Sequence, residues 1–129
     1  MAARALVSAI LFVTCLAPPD VDAASPARPF IATAYCLKGE TGSGSRTRPG
    51  IVAADPRVLP TGTRVRVLTA RGGRTYIVED RGVKGRHIDI FMPSCHQARR
   101  FGRRHVRVRV LSIGNGRRLG PQRSPAVLP

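Results

Sequence analysis

Two segments of the chain alternate without a break. Residues 63–68 (TRVRVL) put Val65 and Val67 on one face and Arg64 and Arg66 on the other, and residues 105–111 (HVRVRVL) do the same with Val106, Val108 and Val110 against Arg107 and Arg109. A period of two belongs to a strand with one buried face. A chain built on such segments must close a sheet over its own apolar side. With 129 residues there is room for a single domain. The 13 Gly, 11 Pro and absence of Trp favour short strands joined by turns over a large helical protein.

The remaining segments fit that plan. Residues 30–36 (FIATAYC) form a β-prone run in which Thr33 and Tyr35 alternate with small alanines. Residues 38–50 (KGETGSGSRTRPG) hold four Gly and no large apolar side chain, which predicts a long surface loop of functional type. Residues 51–54 give a short apolar strand. Asp55-Pro56 and Pro60-Thr61-Gly62 turn the chain, and Arg71-Gly72-Gly73-Arg74 is a hairpin turn leading into a strand at 75–78. Ser94 caps a helix over 94–101, with Gln97 positioned to return the bond and Gly102 to end it. Six or seven short strands and one small helix predict an all-β domain, a small and partly closed barrel over 30–112. Residues 24–29 read as a linker, and the aperiodic Gly-, Pro- and Arg-rich stretch 113–129 as a disordered basic tail.

The first 23 residues combine a cationic start at Arg4, an apolar run over 6–17, the helix breakers Pro18 and Pro19, and small residues ending at Ala23. This pattern predicts a secretory signal peptide cleaved near Ala23. The apolar run is too short for a hydrocarbon core that needs roughly 20 residues, so no transmembrane span is expected after cleavage. A lipidation site at Cys15 lacks the small residue expected before it. The mature protein is thus expected in the periplasm or outside the cell. It keeps Cys36 and Cys95, which an oxidising compartment favours as a disulfide, the alternative being two buried free thiols. His87, His96 and His105 stand at nine-residue intervals without metal-binding spacing, and no metal or cofactor is assigned.

Loss of Arg4, Asp20 and Asp22 with the signal changes 22 basic and 7 acidic residues to 21 and 5. So strong a positive balance predicts attraction to polyanions, among them nucleic acid and anionic envelope polymers. The five remaining acids are Glu40, Asp55, Glu79, Asp80 and Asp89.

Three segments stand out together: residues 51–63 (IVAADPRVLPTGT), 77–91 (IVEDRGVKGRHIDIF) and 98–111 (ARRFGRRHVRVRVL). They resemble the 3D domain, named for its three aspartates, which occurs in bacterial stationary-phase wall enzymes and in membrane-bound lytic transglycosylase A. Asp55 matches the first aspartate in A-x-D-P-x-x-x-P-x-G-T, Asp80 the second in E-D-x-G, and Asp89 the third in I-D-[IL]-[FY]. The stretch from Asp80 to Gly85 (DRGVKG) is two residues shorter than the D-T-G-G-A-I-K-G of many members, and its D-R-G form is similar to rare lipoprotein A. The resemblance implies a six-stranded double-psi β-barrel, related more distantly to rare lipoprotein A and the expansins.

It also implies a chemistry. A lytic transglycosylase cleaves the MurNAc-GlcNAc bond of peptidoglycan by attack of the sugar's own hydroxyl, giving 1,6-anhydro-MurNAc, so one carboxyl serves as acid and then as base. Asp89 is the expected general acid/base, Asp80 the neighbour that raises its pKa or orients substrate, and Asp55 a further lining of the same groove. Taken singly, Asp55 and Asp80 are ordinary turn residues, and Asp89 is the one hard to explain structurally. Glu79, opposite in direction to Asp80 on a continuing strand, is expected as a surface charge. Tyr35 offers a platform for a sugar ring or a place in the core, and Thr61, Gly62 and Lys84 are weaker substrate-binding candidates. The alternative reading is a non-catalytic wall-binding or wall-loosening module of expansin type. A nucleic-acid binder is the third, disfavoured by export and by few aromatics for stacking. The expected partner is peptidoglycan, with anionic envelope polymers second, no specific nucleic acid, and a monomeric protein.

Overall fold

The computed structural model describes residues 25–117. The expected signal peptide with Cys15, and residues 118–129 of the expected tail, lie outside the described residues. The elements in chain order are β1 (Arg28–Tyr35), β2 (Ile51–Ala54), β3 (Arg64–Thr69), β4 (Gly72–Asp80), β5 (His87–Phe91), α1 (Cys95–Phe101) and β6 (Arg104–Ser112). The six strands form a closed barrel in the order β1-β5-β2-β4-β3-β6. Closure is complete, because β6 pairs antiparallel with both β3 and β1. The pairs β1–β5 and β2–β4 are parallel, and β2–β5 and β3–β4 are antiparallel. No helix among the described residues is long and apolar enough to cross a membrane.

The alternating segments behave as their pattern requires. Val65, Val67, Val106 and Val108 are buried, while Arg64, Arg66 and Arg107 are exposed. Phe30, Ala32, Val52, Ala54, Ile88 and Ile90 complete the barrel interior with Tyr76, Val78 and Leu59. Ser94 caps α1 by accepting from the Gln97 amide at 3.3 Å, and Gly102 follows the helix at a positive φ.

Several boundaries differ from the sequence reading. β1 starts at Arg28, so Arg28 and Pro29, expected in a linker, already pair with Val108 and Arg107. Gly72 and Gly73 belong to β4 opposite Thr69 and Leu68, which leaves Ala70 and Arg71 as the turn. The start of the expected tail packs on the barrel: the Gly114 amide donates to Thr63 Oγ1 at 3.0 Å and the Gly116 amide to the Thr61 carbonyl at 3.1 Å. Any side chain at Gly114 would collide with the Thr61–Thr63 backbone.

The loop between β1 and β2 is also not a free surface loop. Thr41 and Ser43 are buried, and their hydroxyls bond to each other and to Ser45. The Ser43 amide donates to the Glu79 carbonyl at 3.0 Å. Glu79, expected as a surface charge, is 2% exposed and pairs in bidentate fashion with Arg48, with the Ser45 hydroxyl donating at 2.7 Å. The reason is a register shift between Val52 and Ala53. Val52 is opposite Val78, but Ala53 is opposite Asp80, so Glu79 is the extra residue of a bulge and strict alternation fails there.

Cys36, just past β1, is bonded to Cys95, the first residue of α1, with Cα atoms 5.0 Å apart. The bond spans 59 residues. Replacing both cysteines by serine is expected to lower the unfolding free energy by about 4 kcal/mol through the released loop entropy. Urea unfolding of the oxidised protein and the double variant measures this, and equal midpoints would refute it.

Burial pushes the Glu79 carboxyl up, but the Arg48 guanidinium and the Ser45 hydroxyl outweigh it and hold the group below its ordinary 4.5. A carboxyl depressed in the folded state contributes stability above its unfolded value, and that contribution is lost as pH falls through the folded one. Wild-type stability should therefore decline once pH drops below 4.5. Arg48→Met should cost about 2–3 kcal/mol at neutral pH, somewhat under the loss for a fully buried pair, because the arginine side is open to water. In that variant the buried, unpaired Glu79 should gain from protonation, reversing its part of the acid limb. Denaturant curves across this pH range check both, and a variant that tracks wild type would show that the pair does not anchor the loop.

Candidate active site

Ala53 is the centre of the arrangement. It is opposite Asp89 of β5 on one side and Asp80 of β4 on the other, so both carboxylates stand on the outer surface of the barrel flanking one small, buried residue. Thr33 of β1 is opposite Asp89, and Tyr35 is opposite Phe91. The expected pairing of Asp80 and Asp89 on one face is thus realised with β2 interposed.

The three aspartates have very different company. Asp55, at the end of β2, is 3% exposed and accepts four N–H groups: the Arg57 amide at 3.0 Å, Arg57 Nε at 3.1 Å, Arg57 Nη2 at 2.8 Å and the Gly85 amide at 2.8 Å. These bonds, the Arg57 guanidinium first, hold its carboxyl well below the usual range. Its carbonyl also accepts from Val58 and Leu59. Asp55 therefore fastens the β4–β5 connection to the turn after β2, and nothing brings it into contact with the other two aspartates.

Asp80 accepts three donors: the Gly42 amide at 2.8 Å and its neighbour Arg81's amide at 2.9 Å on Oδ1, and the Tyr35 hydroxyl at 3.1 Å on Oδ2. A Cβ at Gly42 would lie 2.6 Å from Arg81 Cγ and so displace the Arg81 side chain, whose Nη2 donates to the Gly42 carbonyl at 3.0 Å. The Tyr35 ring packs edge-on against Phe91 with centroids 5.5 Å apart. Burial, then the Asp80 carboxylate, pushes the Tyr35 phenol above its ordinary range, so it stays a hydrogen-bond donor.

Asp89 accepts one donor among the described residues, the Thr33 hydroxyl at 2.9 Å. That hydroxyl lies 2.7 Å from His87 Nε2. A threonine hydroxyl has one proton, so when it donates to Asp89 it must accept from His87, whose Nε2 then carries hydrogen. Burial raises the Asp89 carboxyl above its ordinary value, the Thr33 bond and His87 oppose the rise, and Asp80 adds to it last. Desolvation, more than the neighbouring carboxylate, drives this rise.

The weaker candidates fall elsewhere. The Gly62 amide donates to the Val78 carbonyl at 2.7 Å, and Thr61 is buried under Gly116, so this turn is occupied by the chain's own backbone. Lys84 is exposed on the β4–β5 connection. Sequence reasoning passed over Thr33 and His87 as site residues, although outward polar side chains two apart from the aspartate and tyrosine were a legible signal. The Gly42 amide had none, because a backbone donor from a distant loop leaves no mark in residue type. Among the described residues no cluster of three or more His, Cys, Asp or Glu is arranged to hold a metal.

Comparison with known proteins gives these segments a context. The chain is 34% identical to YorM, an uncharacterized SPbeta prophage-derived protein of Bacillus subtilis (strain 168), over 60% of this chain and 39% of that protein. It is 34% identical to YabE of the same organism, named as a candidate cell wall shaping protein, over 56% of this chain and 18% of that one. The chain thus spans well under half the length of either relative. Among solved structures it is similar to the lytic transglycosylase MltA from Escherichia coli, at 22% identity over 60% of this chain and 28% of that one, with a TM-score of 0.49. The family model of the 3D domain matches residues 50–112, which take in β2 through β6 and all three aspartates.

Proposed function

We propose that this chain is an exported peptidoglycan lytic transglycosylase in which Asp89 is the general acid and then the general base. The observation that carries this reading is the poverty of donors around Asp89. Asp55 is fixed as an anion by four N–H groups and Asp80 is held by three donors, whereas Asp89 has one, together with burial that favours its protonated form. A carboxyl whose surroundings raise its pKa is the kind a general acid needs. The 3D domain match, and the cell-wall role for which YabE is named, support peptidoglycan as the substrate. The Cys36–Cys95 disulfide supports an oxidising compartment.

In the proposed reaction the Asp89 carboxyl gives its proton to the glycosidic oxygen as the bond to MurNAc C1 breaks. The resulting carboxylate takes the proton of the MurNAc C6 hydroxyl as that oxygen bonds to C1, which closes the 1,6-anhydro ring and restores the acid. Asp80, held by the Tyr35 hydroxyl and the Gly42 amide, stands beside the positive charge that develops on the sugar. Thr33 is a positioning residue. With Asp89 protonated, the hydrogen bonds of the Asp89–Thr33–His87 chain can reverse direction, with His87 Nε2 accepting.

Mass spectrometry of soluble products from purified peptidoglycan tests the assignment. Wild-type protein should release anhydro-muropeptides, and Asp89→Asn should lower the rate by about 10²–10⁴-fold with its thermal transition intact. Activity needs protonated Asp89, so kcat/KM should fall as pH rises through its pKa. Thr33→Val removes a bond that favours the charged form, so this alkaline limb should move to higher pH. Wild-type rates in Asp89→Asn would overturn the assignment, and wall pelleting without product from either protein would favour the binding-module reading.

A further inference from the structure

A second concavity lies at the end of the barrel where β4 begins and β5 ends, beside α1. Its volume is about 570 Å³. Four guanidinium side chains surround it, Arg71 and Arg74 from the β3–β4 hairpin and Arg100 and Arg104 from α1 and β6. No carboxylate lines it. The ion pairs among the described residues are Arg48–Glu79 and Arg57–Asp55, so none of these four arginines has an acidic partner there. Arg104 is held in place by its Nε bond to the Phe101 carbonyl at 2.8 Å and by stacking on the Phe101 ring at 4.4 Å. Arg71, Arg74 and Arg100 are exposed. Its accessible apolar lining is the half-buried Met92 and Phe101, with Tyr76, Ile90 and Phe91 buried beneath.

One lining residue of the concavity, Phe91, neighbours the aspartate site. Phe91 follows Asp89 by two residues on β5, which places it on the same side and about 7 Å along the strand. It touches Tyr35, whose hydroxyl is bonded to Asp80.

We propose that this cavity is a subsite for the carboxylate-bearing peptide attached to a glycan strand, an acidic peptide of small apolar residues. The proposal rests on the lytic transglycosylase reading and names a part of the substrate within it. Unpaired guanidinium groups around an open concavity favour carboxylates through charge-assisted, bidentate hydrogen bonds. The half-buried Met92 and Phe101 offer contact to alanyl methyl groups and methylene chains. Stacked nucleobases fit less well, since Tyr76 and Phe91 are 8% and 4% exposed and one face of Phe101 is already covered by Arg104.

The probes are peptide-bearing glycan strands, the same strands stripped by an amidase, and a free tetrapeptide with its carboxyls intact or amidated. Peptide-bearing strands should be the better substrate through a lower KM, and the double variant Arg74→Gln/Arg100→Gln should erase that preference, raising KM about tenfold while kcat stays near wild type. In NMR titrations the acidic tetrapeptide should move the amides of Gln97, Arg100 and Phe101 in wild type and not in the double variant. The amidated peptide should leave them unmoved. Anhydro products without preference for peptide-bearing strands, and no response to the acidic peptide, would overturn the subsite while leaving the proposed activity standing. Absence of anhydro products, with the peptide response present and lost in the double variant, would overturn the activity and keep the subsite. A response to a single-stranded oligonucleotide and none to the peptide would also overturn it, in favour of nucleic acid.

Discussion

The bulge between β2 and β4 decides where the acidic residues of this barrel point. β4 runs Ile77, Val78, Glu79, Asp80, and Val78 is buried in the core. Were alternation to continue, Asp80 would share the direction of Val78 and enter the barrel interior, at a cost no isolated carboxylate could meet. One extra residue, inserted where Ala53 takes Asp80 as its partner, returns Asp80 to the outer surface beside Asp89. Between the two carboxylates stands the small, buried side chain of Ala53.

The extra residue then becomes a fastening. Glu79 is buried, and its cost is met by Arg48 and Ser45 from the loop that follows β1. The same loop reaches Asp80 through the Gly42 amide, and the Cys36–Cys95 bond holds its root against α1. A segment of glycine, serine and threonine, which has little apolar surface to bury, is in this way given a fixed shape by three polar attachments. The barrel supplies the positions of the aspartates, and the loop supplies the donors that make Asp80 different from Asp89.

Much of this architecture was legible in the sequence, and most of the failures depend on distant contacts. The alternating valines of β3 and β6 and the cap at Ser94 follow from local chemistry, the pairing of Cys36 with Cys95 from the expected oxidising compartment, and all appear where expected. Glu79 and Gly42 were misjudged or missed because each depends on a contact more than thirty residues away in sequence. Thr61 and Gly62 suited a groove by residue type, yet the approach of Gly114 and Gly116 occupies them, and a glycine-rich segment gives no sign of what it will pack against. Asp55 was grouped with the other aspartates by motif. Its local sequence, Asp-Pro-Arg, already contained the arginine that makes it an anion.

Three copies of one side chain therefore take three characters from their surroundings, and the number of donors orders them. Each N–H or O–H aimed at a carboxylate favours its charged form, while burial favours the neutral one. At Asp55 four donors, one a guanidinium, overwhelm the effect of burial. At Asp89 a single hydroxyl, itself shared with His87, does not. The 3D domain match spans β2 to β6 and so includes the three aspartates, but Thr33, Tyr35 and Gly42, which set the donor count at Asp80 and Asp89, all lie before residue 50. The matched segment thus carries the carboxylates, and the unmatched strand and loop ahead of it supply donors that distinguish Asp80 from Asp89.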